Sequence, residues 1–504
     1  MLSKINLFGF YFFSALAIIG LCFFAYPNPW FNFPPFILIL LIILHHSILT
    51  KRRWKVIYLF SSLGFAGVLY WLYYPCYVYG GIPLLVSFCF PILMGLYLGL
   101  YVLVYALIIS WVRPYLSFFE LSWFGASLWM GLAIIREFLF SGFPWVDLAV
   151  CFAPYPYCLQ ILRLVGANGF AFFIILLCFW SLNKKYWLGV VGIILFLIGV
   201  NFFPLNLSGT HSLNVGLVQA SIEQEHKWDE KFQKNTLHTY IKLSHFVRRP
   251  DLIVWPETCM PFYFQEVNSL SNQLKQFVRL TQVNLLFGAP GYKFVSKDHY
   301  LLFNRAYLLN AQGQVLGFYE KEKLVPFGEY IPFSFLKPLF GFFSAGVGEF
   351  TPGKVVSPLY LNKNLALGVL ICYEAIFPAL AEKRVKQGGN ILINISNDAW
   401  FGQTSAPYQH LYLAVLRAIE QQRYLVRATN SGISVIIDPR GNIMVSLGIF
   451  KRGHIQARVK AIASKSFFNR YFIFFYTFPF GLILIFLGII FYRRSYGVVL
   501  NGGV

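Results

Sequence analysis

The sequence has few charged residues, and they are unevenly placed. Asp, Glu, Lys and Arg make up 12% of the 504 residues, hydrophobic residues make up 58%, and the mean hydropathy is +0.61. Of the 41 basic and 20 acidic residues, only 13 lie in residues 1–210. This composition is too apolar for an ordinary soluble protein. It predicts a membrane part first and a water-facing part after it, with one more apolar segment near the end.

The signatures of several other protein classes are missing. The net charge is +21, but the basic residues form no long run and no nucleic-acid motif occurs, which argues against nucleic acid as a partner. The eight cysteines are scattered, so neither a disulfide framework nor a zinc site is indicated. Without a Gly-rich phosphate loop or metal-ligand spacing, we expect no cofactor and no metal. Short basic clusters beside apolar segments fit membrane topology and anionic lipid headgroups better.

Eight apolar segments have the length of roughly 20 residues that a spanning helix needs. The predicted spans are 5–26, 31–50, 54–75, 82–111, 122–140, 155–182, 186–204 and 471–492. Basic residues lie between spans two and three, four and five, and six and seven, and after span eight: Lys51, Arg52, Arg53, Lys55, Arg113, Lys184, Lys185, Arg493 and Arg494. If Lys4 is cytoplasmic, the positive-inside rule places all of these clusters on the cytoplasmic side.

This topology predicts three parts of the chain. Residues 1–210 form a membrane domain of about seven helices, residues 211–465 form a domain on the outer side, and residues 466–504 form a C-terminal helix with a cytoplasmic tail. Four charges near span ends have two interpretations: Arg136, Glu137, Asp147 and Arg163 either anchor the interface or form a polar mouth for a lipid headgroup.

Short β-rich runs alternate with helix-like stretches from residue 211 onward. The runs are LNVGLVQA, DLIVWPE, NLLFGAP, AYLLN, LALGVLICYE, NILINISND and GISVIIDPRG, and the helical stretches include Lys231–Arg248 and Gln409–Arg427. The alternation predicts an α/β layer fold. Polar residues follow three of the runs: Glu257, Cys372, and the pair Asn397 and Asp398. Strand ends are where α/β folds gather their chemistry.

Three of these residues have ordinary structural interpretations when taken singly. Cys372 could be a small buried hydrophobe, Glu257 a cap or turn residue, and Lys321 a solvated surface charge. Together they supply what acyl transfer requires. A thiol that attacks an acyl carbon needs a nearby base, such as a glutamate. The intermediate carries an oxyanion that a cation can stabilise, and a lysine also favours the thiolate.

Three ordered motifs carry a resemblance to a known family. WPET, K-x-x-LVPFGE and ICYE resemble the Glu-Lys-Cys triad of the carbon–nitrogen hydrolase (nitrilase) superfamily. With the spans, KWDE at Lys227–Glu230, LVPFGEYIP, NDAWFG and RAIEQQRYLVRATNSGIS, the chain resembles the apolipoprotein N-acyltransferase family of the bacterial inner membrane. This resemblance covers essentially the whole chain. It implies a polytopic α-helical membrane domain of about eight spans plus an extramembrane nitrilase-like αββα sandwich.

The resemblance assigns roles to individual residues. Glu257 would be the general base, Cys372 the nucleophile, and Lys321, rather than Lys323, the lysine that stabilises the oxyanion. Glu329 matches the supporting carboxylate that orients Lys321 or the base.

Further positions match the family's motifs. Tyr373 and Glu374 match the residues after the nucleophile, and Trp228 matches a tryptophan for substrate access. Trp228 and Tyr373 also fit ordinary aromatic packing.

Two departures from the family pattern occur. Ser221 stands where the family often has asparagine, which puts a local turn in doubt. Cys259 lies two residues after Glu257, and a disulfide to Cys372 would silence the nucleophile in an oxidising compartment. We expect the two thiols to point apart.

The implied reaction moves an acyl chain from a phospholipid to Cys372, and then to the α-amine of the diacylglyceryl-modified N-terminal cysteine of an apolipoprotein. The aromatic segment 331–350 is expected to be a mobile loop that dips into lipid, or else a loop packed on its own domain. The resemblance places the enzyme in the inner membrane, as a monomer with its catalytic domain in the periplasm. Two other hypotheses remain: a membrane-bound amidase or nitrilase that uses water as acceptor, and a transporter or receptor without activity.

Overall fold

The computed structural model describes residues 2–50, 53–205, 207, 209, 211–224, 230–297, 299–332, 349–354 and 358–500, with side chains from residue 13 onward. The chain divides into two compact units. The first comprises Met1–Pro204, Thr404–Tyr412 and Arg470–Val504, and the second comprises Leu205–Gln403 and Leu413–Asn469. The boundaries at 210 and 465 stay predictions, and residues 404–412, which the sequence placed in the second domain, group with the first unit.

The first unit is helical. Its helices are α1 (Leu2–Ala25), α2 (Pro35–Thr50), α3 (Trp54–Val68), α4 (Leu84–Ser87), α5 (Cys89–Val112), α6 (Phe118–Phe138), α7 (Leu148–Phe152), α8 (Leu162–Ser181), α9 (Trp187–Gly199) and, near the end of the chain, α15 (Phe472–Ser495), which the short helix α14 (Phe467–Arg470) precedes. Each of the eight segments predicted to span the membrane overlaps at least one of these helices. Helix α6 begins with a capping box between Ser117 and Glu120, which satisfies the free backbone donors of its first turn.

Five of the described helical segments are long and apolar enough to cross a membrane. They are Leu84–Tyr115, Phe118–Ser141, Leu162–Ser181, Lys184–Phe202 and Phe472–Ser495. A sixth span results if Trp54–Val68 and Tyr70–Tyr79, which meet at 63°, form one broken span. The described apolar helices Phe13–Ala25 and Pro35–Thr50 are shorter. The count of eight therefore stays a prediction.

The C-terminal helix α15 is fastened to α6 at both ends. Arg493 donates to both carboxylate oxygens of Glu120, at 2.7 and 2.9 Å. At the other end, the Tyr476 hydroxyl donates to Glu137 at 2.6 Å, and the Asn168 amide donates to the same carboxylate at 2.7 Å. Glu137 thus joins α6, α8 and α15. Because Glu137 is buried, it links the helices by hydrogen bonds rather than anchoring α6 at the membrane surface.

Two other charges near span ends also have structural partners. Buried Arg163 donates to the carbonyls of Val200 and Phe203, and Asp147 caps α7 by accepting from the backbone N–H of Ala149. Arg136 differs from them because its buried Nε has no hydrogen-bond partner among the described residues.

The second unit contains two six-stranded sheets. In the first, the strand order is β12 (Gly453–Lys460), β1 (Ser212–Gln219), β2 (Leu252–Val254), β3 (Asn284–Ser296), β4 (His299–Leu309), β5 (Val315–Glu320). In the second, it is β11 (Ile443–Leu447), β10 (Ser434–Ile437), β9 (Leu425–Thr429), β8 (Ile391–Ser396), β7 (Leu365–Ile371), β6 (Leu359–Asn362). Each sheet has three parallel strands at its centre, β1–β2–β3 and β7–β8–β9, flanked by antiparallel ones.

The sheets pack face to face around one apolar core. Alternate residues of β7, such as Leu367 and Val369, meet inward residues of β1 and β2, such as Val215 and Val254. Helices α10 (Glu230–Ser244) and α11 (Ser269–Thr281) cover the other face of the first sheet around Trp255. Helix α12 (Pro378–Lys386) packs on β7. The predicted αββα sandwich is confirmed, and it brings the ends of strands from both sheets together.

All seven runs predicted as strands contain a strand, and one predicted helical stretch changes type near its end. The stretch 409–427 was predicted to be helical throughout. The structure ends helix α13 (Ala406–Gln421) at residue 421 and begins β9 at Leu425. β9 is buried along its whole length between β8 and β10, so tertiary packing overrides the helical pattern of the flanking sequence.

Candidate active site

The structure brings the three predicted catalytic residues together at the strand ends. Glu257 follows β2, Lys321 directly follows β5, and Cys372 directly follows β7, so the first sheet supplies two of them and the second sheet the third. All three side chains are buried, with 6%, 1% and 9% of their surface exposed. The charges of Glu257 and Lys321 both act on the Cys372 thiol.

Lys321 lies between two carboxylates. Its Nζ is 3.3 Å from Glu257 Oε1 and 2.9 Å from both carboxylate oxygens of Glu329. Burial alone would lower the pKa of Lys321, but the Glu257 and Glu329 carboxylates outweigh that effect and raise the pKa above its usual value. The lysine is therefore a fixed cation. Glu329 holds it in place while accepting the backbone N–H of Val325 at 2.8 Å.

Asn304, on β4, connects the same two carboxylates. Its side-chain nitrogen donates to Glu257 Oε1 at 2.7 Å and to Glu329 Oε1 at 3.0 Å. An amide nitrogen has two hydrogens, so each carboxylate receives one. Asn304 Oδ1 is buried, with no hydrogen-bond partner among the described residues. This orientation leaves one acceptor unpaired in order to aim both donors at the carboxylates.

The second oxygen of Glu257 is held from the other sheet. Glu257 Oε2 accepts the backbone N–H of Asn397, just past β8, at 2.9 Å. The Asn397 side chain donates to Gln224 and accepts from Asn430, so the loop that presents this N–H is fastened on two sides. Both oxygens of the carboxylate are therefore oriented by donors from different strands.

Cys372 is a neutral thiol in a strained turn. Its φ is 52°, in the left-handed region that L residues rarely adopt, which is common at functional sites. Burial, together with the Glu257 carboxylate, raises the pKa of Cys372 to about 12, although Lys321 opposes the shift. Lys321 lowers the pKa of Cys372, as predicted, but burial and Glu257 raise it by more. At neutral pH the sulfur keeps its proton until a base removes it.

Glu374 ties the nucleophile turn to the lysine loop. It is fully buried and accepts four hydrogen bonds: from the backbone N–H groups of Ile371, Glu322 and Lys323 and from the Tyr319 hydroxyl, at 2.7–3.1 Å. Burial raises the pKa of Glu374, and the nearby Arg384 opposes this effect. Tyr373 is also buried and packs edge-on against Phe377 with ring centroids 5.2 Å apart.

A second ion pair lies behind the nucleophile. Arg427 donates to Asp398 at 2.7 Å, both side chains are fully buried, and Ser396 donates to the same carboxylate at 2.8 Å. The Ser396 hydroxyl also lies within hydrogen-bonding reach of Cys372. Asp398 therefore takes part in the support of the site, as its position after β8 suggested.

The two cysteines near the site lie in separate cores. Cys372 packs with the core between the sheets, whereas Cys259 packs with the helix-covered face and lies 3.4 Å from the Gly288 carbonyl. Neither forms a disulfide bond with a described residue, in agreement with the expectation that they point apart.

Comparison with known proteins decides the family. The carbon-nitrogen hydrolase family model matches residues 214–464, and the model of the apolipoprotein N-acyltransferase N-terminal domain matches residues 9–180. The apolipoprotein N-acyltransferase of Geobacter metallireducens is 33% identical over 446 residues, which cover 84% of each chain. The chain belongs to the apolipoprotein N-acyltransferase family. It is therefore an enzyme of the acyltransferase class.

Two further proteins are similar to different shares of the chain. The apolipoprotein N-acyltransferase of Vibrio cholerae is 28% identical over 441 residues, covering 84% of this chain and 85% of that protein. Among solved structures, Saccharomyces cerevisiae Nit3, a member of branch 10 of the nitrilase superfamily, is 20% identical, with a TM-score of 0.39, and covers 50% of this chain and 91% of its own.

The sequence analysis did not single out Asn304. A signal was present, because Asn304 and Arg305 interrupt an otherwise apolar strand, LLFNRAYLL, and a buried polar group requires a partner. At Ser221 the structure shows φ 50°, a conformation that asparagine tolerates better, so the departure noted there does fall on a strained turn.

Two predictions fall on residues outside those described. Trp228 is one, and residues 333–348 of the predicted loop 331–350 are the other. The described ends of that loop are fixed beside the site. Ile331 is buried, and the backbone N–H of Phe350 donates to the Glu329 carbonyl at 2.9 Å.

Proposed function

We propose that the enzyme transfers an acyl chain from a phospholipid, through a thioester on Cys372, to the α-amino group of the N-terminal diacylglyceryl-cysteine of apolipoproteins. The observation that carries this proposal is the buried Glu257–Lys321 pair acting on the Cys372 thiol in a member of this family. The donor would be a phospholipid such as phosphatidylethanolamine.

In the first step, Cys372 Sγ attacks the carbonyl carbon of a phospholipid ester. Because the thiol is neutral, Glu257 accepts its proton as the S–C bond forms. The carbonyl oxygen becomes an oxyanion, and the fixed Lys321 ammonium stabilises it. When the intermediate collapses, the C–O bond breaks, and Glu257 returns the proton to the leaving glycerol oxygen. The products are the acyl-enzyme and a lysophospholipid.

In the second step, the α-amine of the diacylglyceryl-cysteine attacks the thioester carbonyl. Glu257 accepts a proton from the amine, and Lys321 again stabilises the oxyanion. The C–S bond then breaks, the sulfur recovers a proton from Glu257, and an amide remains on the acceptor. The same base and the same cation serve both steps.

The other site residues have supporting roles in this proposal. Glu329 positions Lys321, Asn304 and Asn397 orient Glu257, and Glu374 holds the nucleophile turn against the lysine loop. Trp228 would guide substrate access, by resemblance to the family. Tyr373 lies beside the nucleophile and packs on Phe377.

The cellular setting belongs to the same proposal. Residues 211–465 would face the periplasm of a bacterial inner membrane, with residues 1–210 and 466–504 providing about eight spans, and the enzyme would act as a monomer. The basic clusters, which all fall on one side of such a topology, support it.

A test is to incubate the purified enzyme with phosphatidylethanolamine and a synthetic diacylglyceryl-cysteinyl peptide and to identify the products by mass spectrometry. The proposal predicts equal amounts of N-acylated peptide and lysophospholipid. Free fatty acid without acylated peptide would overturn it in favour of a membrane-bound amidase or hydrolase that uses the same triad with water.

A further inference from the structure

Arg136 is a cation without a counter-ion in the described part of the chain. It lies in the last turn of α6, a helix apolar and long enough to cross a membrane. Its Nε is buried and has no hydrogen-bond partner there, and the ion pairs found among the described residues do not include its guanidinium. A charge in an apolar helix is costly unless something compensates it.

The adjacent carboxylate does not compensate Arg136. Glu137 accepts from Asn168 at 2.7 Å and from Tyr476 at 2.6 Å, so it faces α8 and α15. Consecutive residues on a helix do not face each other, because each residue advances about 100° around the axis. Arg136 therefore points to a different side of α6 from Glu137.

On that side, Arg136 lines a cleft together with aromatic and aliphatic side chains. These include Phe65, Leu98, Tyr101, Trp129 and Leu132. The volume of the cleft is about 30 Å³, room for about one water-sized group, so an anion would lie at its mouth against the guanidinium. The hydroxyls of Tyr101 and Tyr97 are hydrogen-bonded to each other at 2.7 Å nearby and supply further polar contacts.

We infer that Arg136 binds the phosphate of a phospholipid. A guanidinium presents two parallel N–H groups to two phosphate oxygens, and Arg is weakly hydrated enough to do so in apolar surroundings. The apolar walls of the cleft and the membrane-spanning length of α6 favour a lipid phosphate over a free one. The use of this lipid as the acyl donor rests on the proposed function. Arg136 deepens that function, because it would select donors that carry a phosphate.

The binding test uses the full chain with Cys372→Ala, which cannot turn over, purified in detergent and examined by native mass spectrometry. The probes are phosphatidylethanolamine, dioleoylglycerol (which has ester groups but no phosphate) and inorganic phosphate. We expect one phosphatidylethanolamine to be retained and the diacylglycerol not to be. Arg136→Gln should weaken phospholipid retention about tenfold or more, and Arg136→Lys should restore part of it.

The control is Arg113→Gln, because Arg113 is another arginine at a helix end and donates to the Leu49 carbonyl. It should leave retention unchanged. The inference is overturned if Arg136→Gln has no effect, if it weakens diacylglycerol and phospholipid retention equally, or if inorganic phosphate at the same concentration displaces the lipid. An equal effect of Arg113→Gln would show that a positive charge near the headgroups is sufficient, and would also overturn it.

An activity arm separates this inference from the proposed function. In the enzyme with Cys372 intact, Arg136→Gln should raise the KM for phosphatidylethanolamine about tenfold and leave kcat nearly unchanged, because the residue binds a part of the donor that does not react. If the unsubstituted enzyme forms no acyl adduct at all, the proposed function fails. The retention experiment then still decides whether Arg136 binds a phospholipid.

Discussion

The side-chain amide of Asn304 lies 2.7 Å from Oε1 of Glu257 and donates a hydrogen bond to it. The second hydrogen of the same amide is directed at Glu329, so Asn304 fixes the base relative to the carboxylate that holds Lys321. This bridge defines where the base stands when the Cys372 thiol must be deprotonated.

Replacing Asn304 with Leu removes both donors at nearly constant volume. Charge-assisted hydrogen bonds of this kind contribute about 1.5–3 kcal/mol. We expect the rate at pH 7 to fall about 10- to 100-fold. Steady-state kinetics on the purified variant should show this loss in kcat/KM.

The control for Asn304→Leu is Ser244→Ala, which leaves the buried Trp255 N–H without its acceptor on the helix-covered face of the first sheet. It should lower the melting temperature and leave kcat/KM nearly unchanged. If Asn304→Leu also lowers only the melting temperature, Asn304 has no role in orienting the base.

Gly288, on β3, leaves room for the turn that carries Glu257. A Cβ at this position would lie 2.4 Å from the Thr258 backbone nitrogen and 2.7 Å from the Glu257 Cα. Gly288→Ala must therefore displace backbone at the base, and a shift of about 1 Å can cost about 100-fold in rate. Steady-state kinetics should show this loss in kcat. Gly317→Ala is the matched change on β5, because its Cβ would meet only the Leu359 side chain at 3.3 Å. Equal activity of the two variants would contradict the packing argument.

The raised pKa of Cys372 has a measurable consequence in the free enzyme. Below a pKa of about 12, the thiolate fraction of Cys372 rises tenfold with each pH unit. Labelling of Cys372 by iodoacetamide, followed by peptide mass spectrometry, should therefore increase continuously from pH 7 to pH 10. A plateau reached by pH 9 would mean that Lys321 does hold the sulfur as a thiolate.

Glu374→Gln places an amide NH2 group among donors that need acceptors. Each donor left unpaired costs about 1–3 kcal/mol, so the variant should be less stable and nearly inactive, since the nucleophile turn and the lysine loop lose their shared partner. Glu382→Gln is the comparison, because Glu382 forms one long contact of 3.8 Å with Lys386. If both variants lose the same thermal stability, the hydrogen bonds of Glu374 do not hold the nucleophile turn against the lysine loop.

The sequence predicted those parts of the fold in which local pattern and packing agree. The runs LNVGLVQA and LALGVLICYE form β1 and β7 because both lie in the parallel part of their sheets, where an apolar run matches burial on both faces. The predicted helical stretch 409–427 runs into β9, which pairs with β8, and only the sheet decides the type of its last residues. Hydropathy likewise does not show the 63° bend between α3 and Tyr70–Tyr79, within the third predicted span.

The sequence predicted those site residues that lie within a short continuous motif. Glu257, Lys321 and Cys372 each lie next to a strand that the sequence showed, and the fold brings those strand ends together. The bridge by Asn304 and the N–H of Asn397 could not be predicted, since they depend on which strands become neighbours and on which way an amide turns. The neutral state of the thiol depends on burial, which no motif reports.

The most direct test of the central claim is the intact mass of the purified enzyme after incubation with phosphatidylethanolamine, under reducing conditions and without an acceptor peptide. The account predicts an added mass of one acyl chain that hydroxylamine removes, that is absent in Cys372→Ala and that persists in Cys259→Ser. The absence of this adduct, or its presence in Cys372→Ala, would contradict the assignment of Cys372 as the nucleophile.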